Sequence, residues 1–118
     1  MKPIALFLTI ALTGFVATTA SAGEIKKEKQ FLEEVAGRKL VMGHSWVRIA
    51  PEGSVSGRGP KGGEITGNWQ WDGRYYCRDI TIDAVPLAQD CQTVSVRGNV
   101  VTFTHKKGKG VPVSWVIE

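Results

Sequence analysis

The stretch from Gly67 to Arg78, GNWQWDGRYYCR, carries the clearest fold signal in the chain. Apolar and polar residues alternate on both sides of Asp72-Gly73, a dipeptide typical of the tight turn of a β-hairpin. A two-residue turn there pairs Trp71 with Arg74 and Trp69 with Tyr76. The face that we expect to point inward then holds Ile65, Gly67, Trp69, Trp71, Arg74, Tyr76, Arg78 and Ile80.

A second hairpin is predicted around Gly98-Asn99, from strands 90–97 and 100–105. Its register pairs Val96 with Val101, Val94 with Phe103, and Gln92 with His105 on the inward face. Cys77 in the first hairpin and Cys91 in the second then both point outward.

These two cysteines are the only ones in the chain, and a disulfide between them is the simplest interpretation. The bridge would close a loop of 13 residues and stabilise the fold by roughly 3 kcal/mol. The alternatives are weaker, because Cys77 and Cys91 lack the further ligands of a zinc site and the spacing of a redox pair.

The rest of the chain indicates short elements separated by turns. We expect an amphipathic helix over 24–35 and one strand or two over 40–49, where Gly43 could mark a bulge. Further predictions are a strand at 54–56, a mobile loop at 57–63, a connection at 83–89, a turn at 106–110, and a strand at 111–117 with Val111, Val113, Trp115 and Ile117 inward. The predicted fold class is mainly β: a short N-terminal helix followed by about seven antiparallel strands, forming a small meander barrel or half-barrel.

Residues 1–22 have the pattern of a secretory signal peptide: a positive start, an apolar core and Ala20-Ser21-Ala22 before the predicted cleavage site. The apolar core is shorter than the roughly 20 residues of a spanning helix. The sequence therefore predicts a periplasmic or secreted domain at 23–118, with no stable membrane insertion after cleavage.

Composition and motifs exclude several function classes. The 118 residues carry a net charge of +4 that is scattered along the chain, so no nucleic-acid partner is predicted. Nucleotide-binding glycine patterns, a G-x-S-x-G elbow and an H-E-x-x-H zinc motif are all missing from the sequence. We therefore expect a non-enzymatic protein without a metal or cofactor.

Four polar residues fall on the inward face: Arg78, Asp90, Gln92 and His105. One interpretation is a ligand pocket at the barrel mouth, lined by Trp69 and Tyr76, in which Arg78 binds an acidic group. The other is structural, with Arg78 and Asp90 forming an ion pair while Gln92 and His105 lie in solvent at the end of the sheet.

The segment GNWQWDGRYYCR with the later DCQ resembles a family of small secreted bacterial proteins over most of residues 23–118. The family pattern is W-x-W-x-G-x-[YF]-C-R followed by D/N-C-Q, and the matching residues here are Trp69, Trp71, Gly73, Tyr76, Cys77, Arg78, Asp90, Cys91 and Gln92. The resemblance implies a fold and a compartment only. Some members are labelled dihydrodipicolinate reductase, but such an enzyme needs a nucleotide-binding α/β domain that this pattern does not provide.

Three functional hypotheses follow, of which a small enzyme is the least favoured. The first is a binding module for a small acidic or peptide-like ligand at one end of the barrel. The second is a protein-interaction or inhibitor module of the cell envelope, acting through loops 51–63 and 106–110 or through a sheet edge.

Overall fold

The computed structural model describes residues 23–118, and the predicted signal segment 1–22 lies outside the described residues. The elements in chain order are β1 Gly23–Ile25, α1 Glu28–Glu34, β2 Lys39–Met42, β3 Ser45–Ile49, β4 Ser54–Arg58, β5 Glu64–Asp72, β6 Tyr75–Ile82, β7 Val85–Pro86, β8 Asp90–Arg97, β9 Val100–Thr104, α2 His105–Gly108 and β10 Pro112–Ile117.

Eight of the strands form a closed antiparallel barrel. Sheet neighbours follow the order β8-β9-β10-β2-β3-β4-β5-β6, and β6 pairs back with β8 to close the ring. The prediction of a mainly β meander is confirmed, and the barrel is closed rather than half-open. The ten strands exceed the predicted seven for two reasons: the segment predicted as one strand or two forms both β2 and β3, and β1 and β7 are short flanking strands, paired with β8 and β6 respectively.

The seam between β6 and β8 is short. It consists of three residue pairs: Tyr76 with Gln92, Cys77 with Cys91, and Arg78 with Asp90. The predicted disulfide is confirmed at its centre, with an S–S distance of 2.07 Å. Past the seam, β1 takes over the edge of β8, where Gly23–Ile25 pairs with Val94 to Val96.

The first hairpin differs from the predicted register by two residues. Trp71 lies opposite Tyr76 and Trp69 opposite Arg78, so the turn residues are Gly73-Arg74. Gly73 has a φ of +63°, which suits glycine at the first position of a type II′ turn. A shift of two residues keeps every side chain on its predicted face, except that Arg74 lies in the turn.

The second hairpin has the predicted register, with Val94 opposite Phe103 and Val96 opposite Val101. Other local features differ from the sequence-based expectations. Gly43 lies in the turn between β2 and β3 rather than in a bulge, and β4 extends to Arg58. Val111 is 68% exposed in the turn before β10 rather than inward.

Helix α1 occupies part of the segment 24–35 where the sequence predicts a helix, while Glu24 and Ile25 belong to β1. Its Phe31 is fully buried. The Phe31 ring lies 5.1 Å from the ring of Trp69, 5.2 Å from that of Trp71 and 5.5 Å from that of Tyr76. The helix therefore packs one aromatic side chain into the interior of the barrel.

The two ends of the barrel differ. In an up-and-down barrel, successive turns alternate between ends. The turns at 50–53, 73–74 and 98–99 therefore lie at one end, which we call the closed end because α1 packs there: Phe31 contacts Trp71, and the Gly37 amide donates to the Ile49 carbonyl. The opposite or open end carries the turns at 43–44, 59–63, 83–89 and 105–111.

Two glycines allow the barrel wall to bend. A Cβ on Gly57 would lie 2.2 Å from the Trp46 carbonyl oxygen, and one on Gly67 would lie 2.2 Å from that of Asp79. Glycine at such close backbone approaches is typical of the corners of small barrels.

Candidate functional site

An apolar cavity of about 260 Å³ fills the barrel interior towards the open end. Tyr76, which packs against Phe31 of the helix, bounds it on the closed side. Its walls come from all the strands of the barrel, with residues Met42, Ser45, Val47, Ile49, Val55, Gly59, Pro60, Ile65, Tyr76, Arg78, Ile80, Ile82, Leu87, Gln92, Phe103, His105, Val113 and Trp115. The molecule thus encloses a blind hydrophobic pocket with a few polar groups.

Four of the six sequence-predicted site residues line this cavity: Tyr76, Arg78, Gln92 and His105. Trp69 does not. It is 8% exposed in the core, and its indole nitrogen donates a 2.7 Å hydrogen bond to the Ala50 carbonyl at the closed end. Trp69 is not among the residues that line this cavity, because the inward face of a strand spans the whole barrel and only part of it borders the cavity.

Asp90 does not line the cavity itself, but it is hydrogen-bonded to two residues that do, Gln92 and His105. Its Oδ2 accepts hydrogen bonds from Gln92 Nε2 at 3.0 Å and from His105 Nδ1 at 2.7 Å, and its Oδ1 accepts from the Lys106 amide at 3.1 Å. The two side-chain nitrogens lie 3.2 Å apart because they share this acceptor. Donation from Nδ1 fixes the histidine ring and leaves Nε2 as its other polar atom.

The Asp90 carboxylate is stabilised in its charged form. Burial raises the pKa of Asp90, whereas the hydrogen bonds from Gln92, His105 and the Lys106 amide and the charge of His105 lower it. The lowering effects are together the larger, so the pKa lies below its ordinary value. Asp90 is therefore a fixed anion that orients Gln92 and His105.

The predicted ion pair between Arg78 and Asp90 does not form. The two residues are cross-strand neighbours, but the Asp90 carboxylate is occupied by Gln92, His105 and Lys106. The Arg78 guanidinium donates a 3.0 Å hydrogen bond to the Ala88 carbonyl. Arg74 forms an ion pair with Glu24, and His105 forms one with Asp90 when its ring is protonated. In this part of the chain Arg78 is thus a half-buried cation without a carboxylate partner.

Tyr76 places a hydroxyl group in the same interior. The residue is 4% exposed, and no hydrogen bond joins its hydroxyl to another group of residues 23–118. Burial raises its pKa strongly, while the nearby charge of Arg78 acts in the opposite direction. The hydroxyl therefore stays protonated, as a donor close to the guanidinium.

Gln92 also differs from the structural interpretation, which placed it in solvent. It is 4% exposed, against the 60% of a truly exposed residue such as Val85. Gln92 and His105 are bonded to Asp90 and face the cavity, so the polar residues of the second hairpin belong to the site.

Sequence reasoning missed Ser45, Met42 and Leu87. Ser45 is 2% exposed, and its inward position was visible as alternation with Val47 and Ile49 along β3. Met42 and Leu87 border the mouth from a strand end and from the connection 83–89. Local pattern gives no signal for them, because only closure of the barrel brings them together.

The two predicted interaction loops do not share a surface. The segment 51–63 contains β4, so its turns at 50–53 and 59–63 lie at opposite ends of the barrel. Only the second of these shares the open end with 105–111.

Within residues 23–118, no group of three or more His, Cys, Asp and Glu side chains is arranged to hold a metal ion. None of the helices described for these residues is long and apolar enough to cross a bilayer.

Comparison with models of known protein families finds no match, and neither the curated proteins nor the solved structures contain a match to this chain. The resemblance of the GNWQWDGRYYCR segment to a family of small secreted bacterial proteins therefore stays a prediction.

Proposed function

We propose that this protein is an exported, non-enzymatic binding module that holds a small amphipathic anion inside its barrel. The observation that carries the proposal is Arg78, a half-buried residue at the wall of an apolar cavity. Its guanidinium donates to the Ala88 carbonyl and has no carboxylate partner within residues 23–118. Removing a charge from water is costly unless an opposite charge or several hydrogen bonds replace the lost hydration. An acidic ligand group supplies that replacement.

The other groups of the cavity fit the same ligand. The protonated Tyr76 hydroxyl is a second donor near Arg78, and donors converging on one point bind a carboxylate well. The remaining walls are mostly aliphatic and aromatic, which favours an apolar body on the ligand.

The test uses decanoate and decan-1-ol, which differ only in the charged group, with the chain purified from a bacterial periplasm. Isothermal titration calorimetry should show decanoate binding more tightly than the alcohol. Replacement Arg78→Met should weaken decanoate binding roughly ten- to a hundredfold, the value of a charge-assisted hydrogen bond, and leave decan-1-ol binding unchanged. Arg48→Met, on the exposed outer face of β3, is the matched control.

Equal binding of decanoate and decan-1-ol by the unaltered protein would contradict the proposal, as would an Arg78→Met variant that retains full decanoate affinity. Circular dichroism establishes whether each variant is folded. If Arg78→Met does not fold, Arg78→Lys keeps the charge but loses the planar fork, and weaker decanoate binding by the folded lysine variant is then expected.

A further inference from the structure

Exposed apolar side chains concentrate at the open end of the barrel. Six large hydrophobic residues are exposed within residues 23–118: Leu32, Met42, Val85, Leu87, Val111 and Val116. Four of them, Met42, Val85, Leu87 and Val111, lie at the open end, on the end of β2, the connection 83–89 and the turn 105–111. We call these four residues the apolar rim.

The charged residues of the turns also differ between the open and the closed end of the barrel. The open-end turns contain Lys61, Lys106, Lys107 and Lys109 against the one acidic residue Asp83. The closed-end turns 50–53, 73–74 and 98–99 contain Glu52 and Arg74, which balance. The open end therefore combines exposed apolar groups with an excess of positive charge.

The lysine turn is held in a defined shape. The Lys106 amide donates to Asp90, the Lys109 amide donates to the Lys106 carbonyl, and the Gly110 amide donates to the His105 carbonyl. The ammonium of Lys107 lies 5.4 Å from the centre of the Tyr75 ring, at the start of β6, so it is directed away from the mouth of the cavity. Lys106 and Lys109, with Lys61 of the 59–63 turn, are the lysines left to contact a partner at this end.

We propose that the open end docks on the surface of an anionic lipid bilayer. Apolar side chains that enter the headgroup boundary, beside lysines that contact lipid phosphates, are the recurring chemistry of proteins that lie on membranes. The positive charge of the open-end turns complements the negative charge of such a surface, which is the reason for choosing a bilayer as the partner. The inference rests on surface residues and does not depend on what the cavity binds.

Docking in this orientation has a geometric consequence. Met42 and Leu87 belong both to the apolar rim and to the cavity wall. The cavity mouth would then face the bilayer, so that an amphipathic ligand could pass between them.

The test is sedimentation of the exported chain with vesicles of phosphatidylcholine, with and without phosphatidylglycerol, at low salt. We expect binding to the anionic vesicles that weakens as salt rises. The double variant Leu87→Ser/Val111→Ser should lose most of it. Each lysine near such a surface is worth about a fivefold change in partitioning, so Lys106→Gln/Lys109→Gln should weaken binding roughly twenty-five-fold.

Matched controls lie away from the open end. Val116→Ser removes an exposed valine from the outer wall of β10, and Lys27→Gln removes an exposed lysine before α1; neither should change binding. Absence of binding to anionic vesicles would overturn the proposal, and so would equal losses in rim and control variants. Decanoate titration of the same rim variants keeps the two proposals separate, because loss of vesicle binding with decanoate affinity intact concerns docking alone.

Discussion

At the scale of the residue, Asp90 shows how one carboxylate can determine the state of its neighbours. It accepts three hydrogen bonds, from Gln92, His105 and the Lys106 amide. Because these donors occupy it, Asp90 does not pair with its cross-strand neighbour Arg78, which has no ionic partner among residues 23–118. The cationic character of the cavity is thus a consequence of where Asp90 points.

The lowered pKa of Asp90 predicts a pH dependence of stability. A carboxylate whose pKa is lower in the folded than in the unfolded state stabilises the fold above its unfolded pKa of about 3.9. That contribution is lost as the pH falls through the folded value. Asp90→Asn should therefore lower the free energy of unfolding at neutral pH, and its difference from the unaltered protein should shrink below about pH 4.

Urea unfolding followed by tryptophan fluorescence at a series of pH values measures this difference. Asp79→Asn, at an exposed position of β6, serves as the control and should leave the pH profile unchanged. A constant difference between the Asp90→Asn variant and the unaltered protein at every pH would show that the charge of Asp90 contributes nothing.

Sequence reasoning found the faces of these residues but not their partners. Alternation placed Arg78, Gln92 and His105 inward correctly, because side chains along a strand alternate strictly. It paired Arg78 with Asp90 by proximity, whereas the choice of acceptor depends on side-chain rotamers and on the backbone amide of Lys106. Neither is encoded in strand register.

At the scale of the element, helix α1 stabilises the barrel mainly through Phe31. This ring contacts Trp69, Trp71 and Tyr76, so Phe31→Ala should lower the free energy of unfolding by about 3–5 kcal/mol. Leu32→Ala, on the 37% exposed neighbour, should cost much less. Chemical denaturation of both variants measures the contrast, and similar losses would mean that α1 does not close the barrel as described.

The hairpins show which element features are readable from sequence. The turn Gly98-Asn99 gave the correct register, while Asp72-Gly73 gave a register displaced by two residues. Because a displacement of two preserves the faces, the inward set survived the error. The position of Gly43 matters more for the fold. Because Gly43 lies in a turn and not in a bulge, the segment 40–49 forms two paired antiparallel strands, β2 and β3.

At the scale of the whole molecule, the disulfide secures the place where the barrel closes. The seam has three residue pairs, whereas β5 and β6 share eight. Cys77→Ser/Cys91→Ser should lower the free energy of unfolding by roughly 3 kcal/mol, the value of a loop of this length. Addition of a reductant should destabilise the unaltered protein by the same amount and leave the double variant unaffected; stability that survives reduction would contradict this assignment.

Closure itself was beyond sequence reasoning. Each hairpin is local, and its pattern can be read from consecutive residues. The pairing of β6 with β8 joins two strands that are separated in the chain by β7, and it consists of three residue pairs. The pair of cysteines is the one feature of the sequence that indicates it. The cavity shares this limitation, because its mouth assembles from four turns that are distant in the chain.

The packing of α1 against one end of the barrel has a kinetic consequence. A pocket blocked at its inner end has a common path for entry and exit, so the same barrier governs both directions. If the cavity holds a ligand as proposed, a substitution that stiffens the turns around the mouth without touching that ligand would slow association and dissociation by equal factors. The dissociation constant would stay fixed while the residence time lengthened, and the two properties could then be tuned independently in this small barrel.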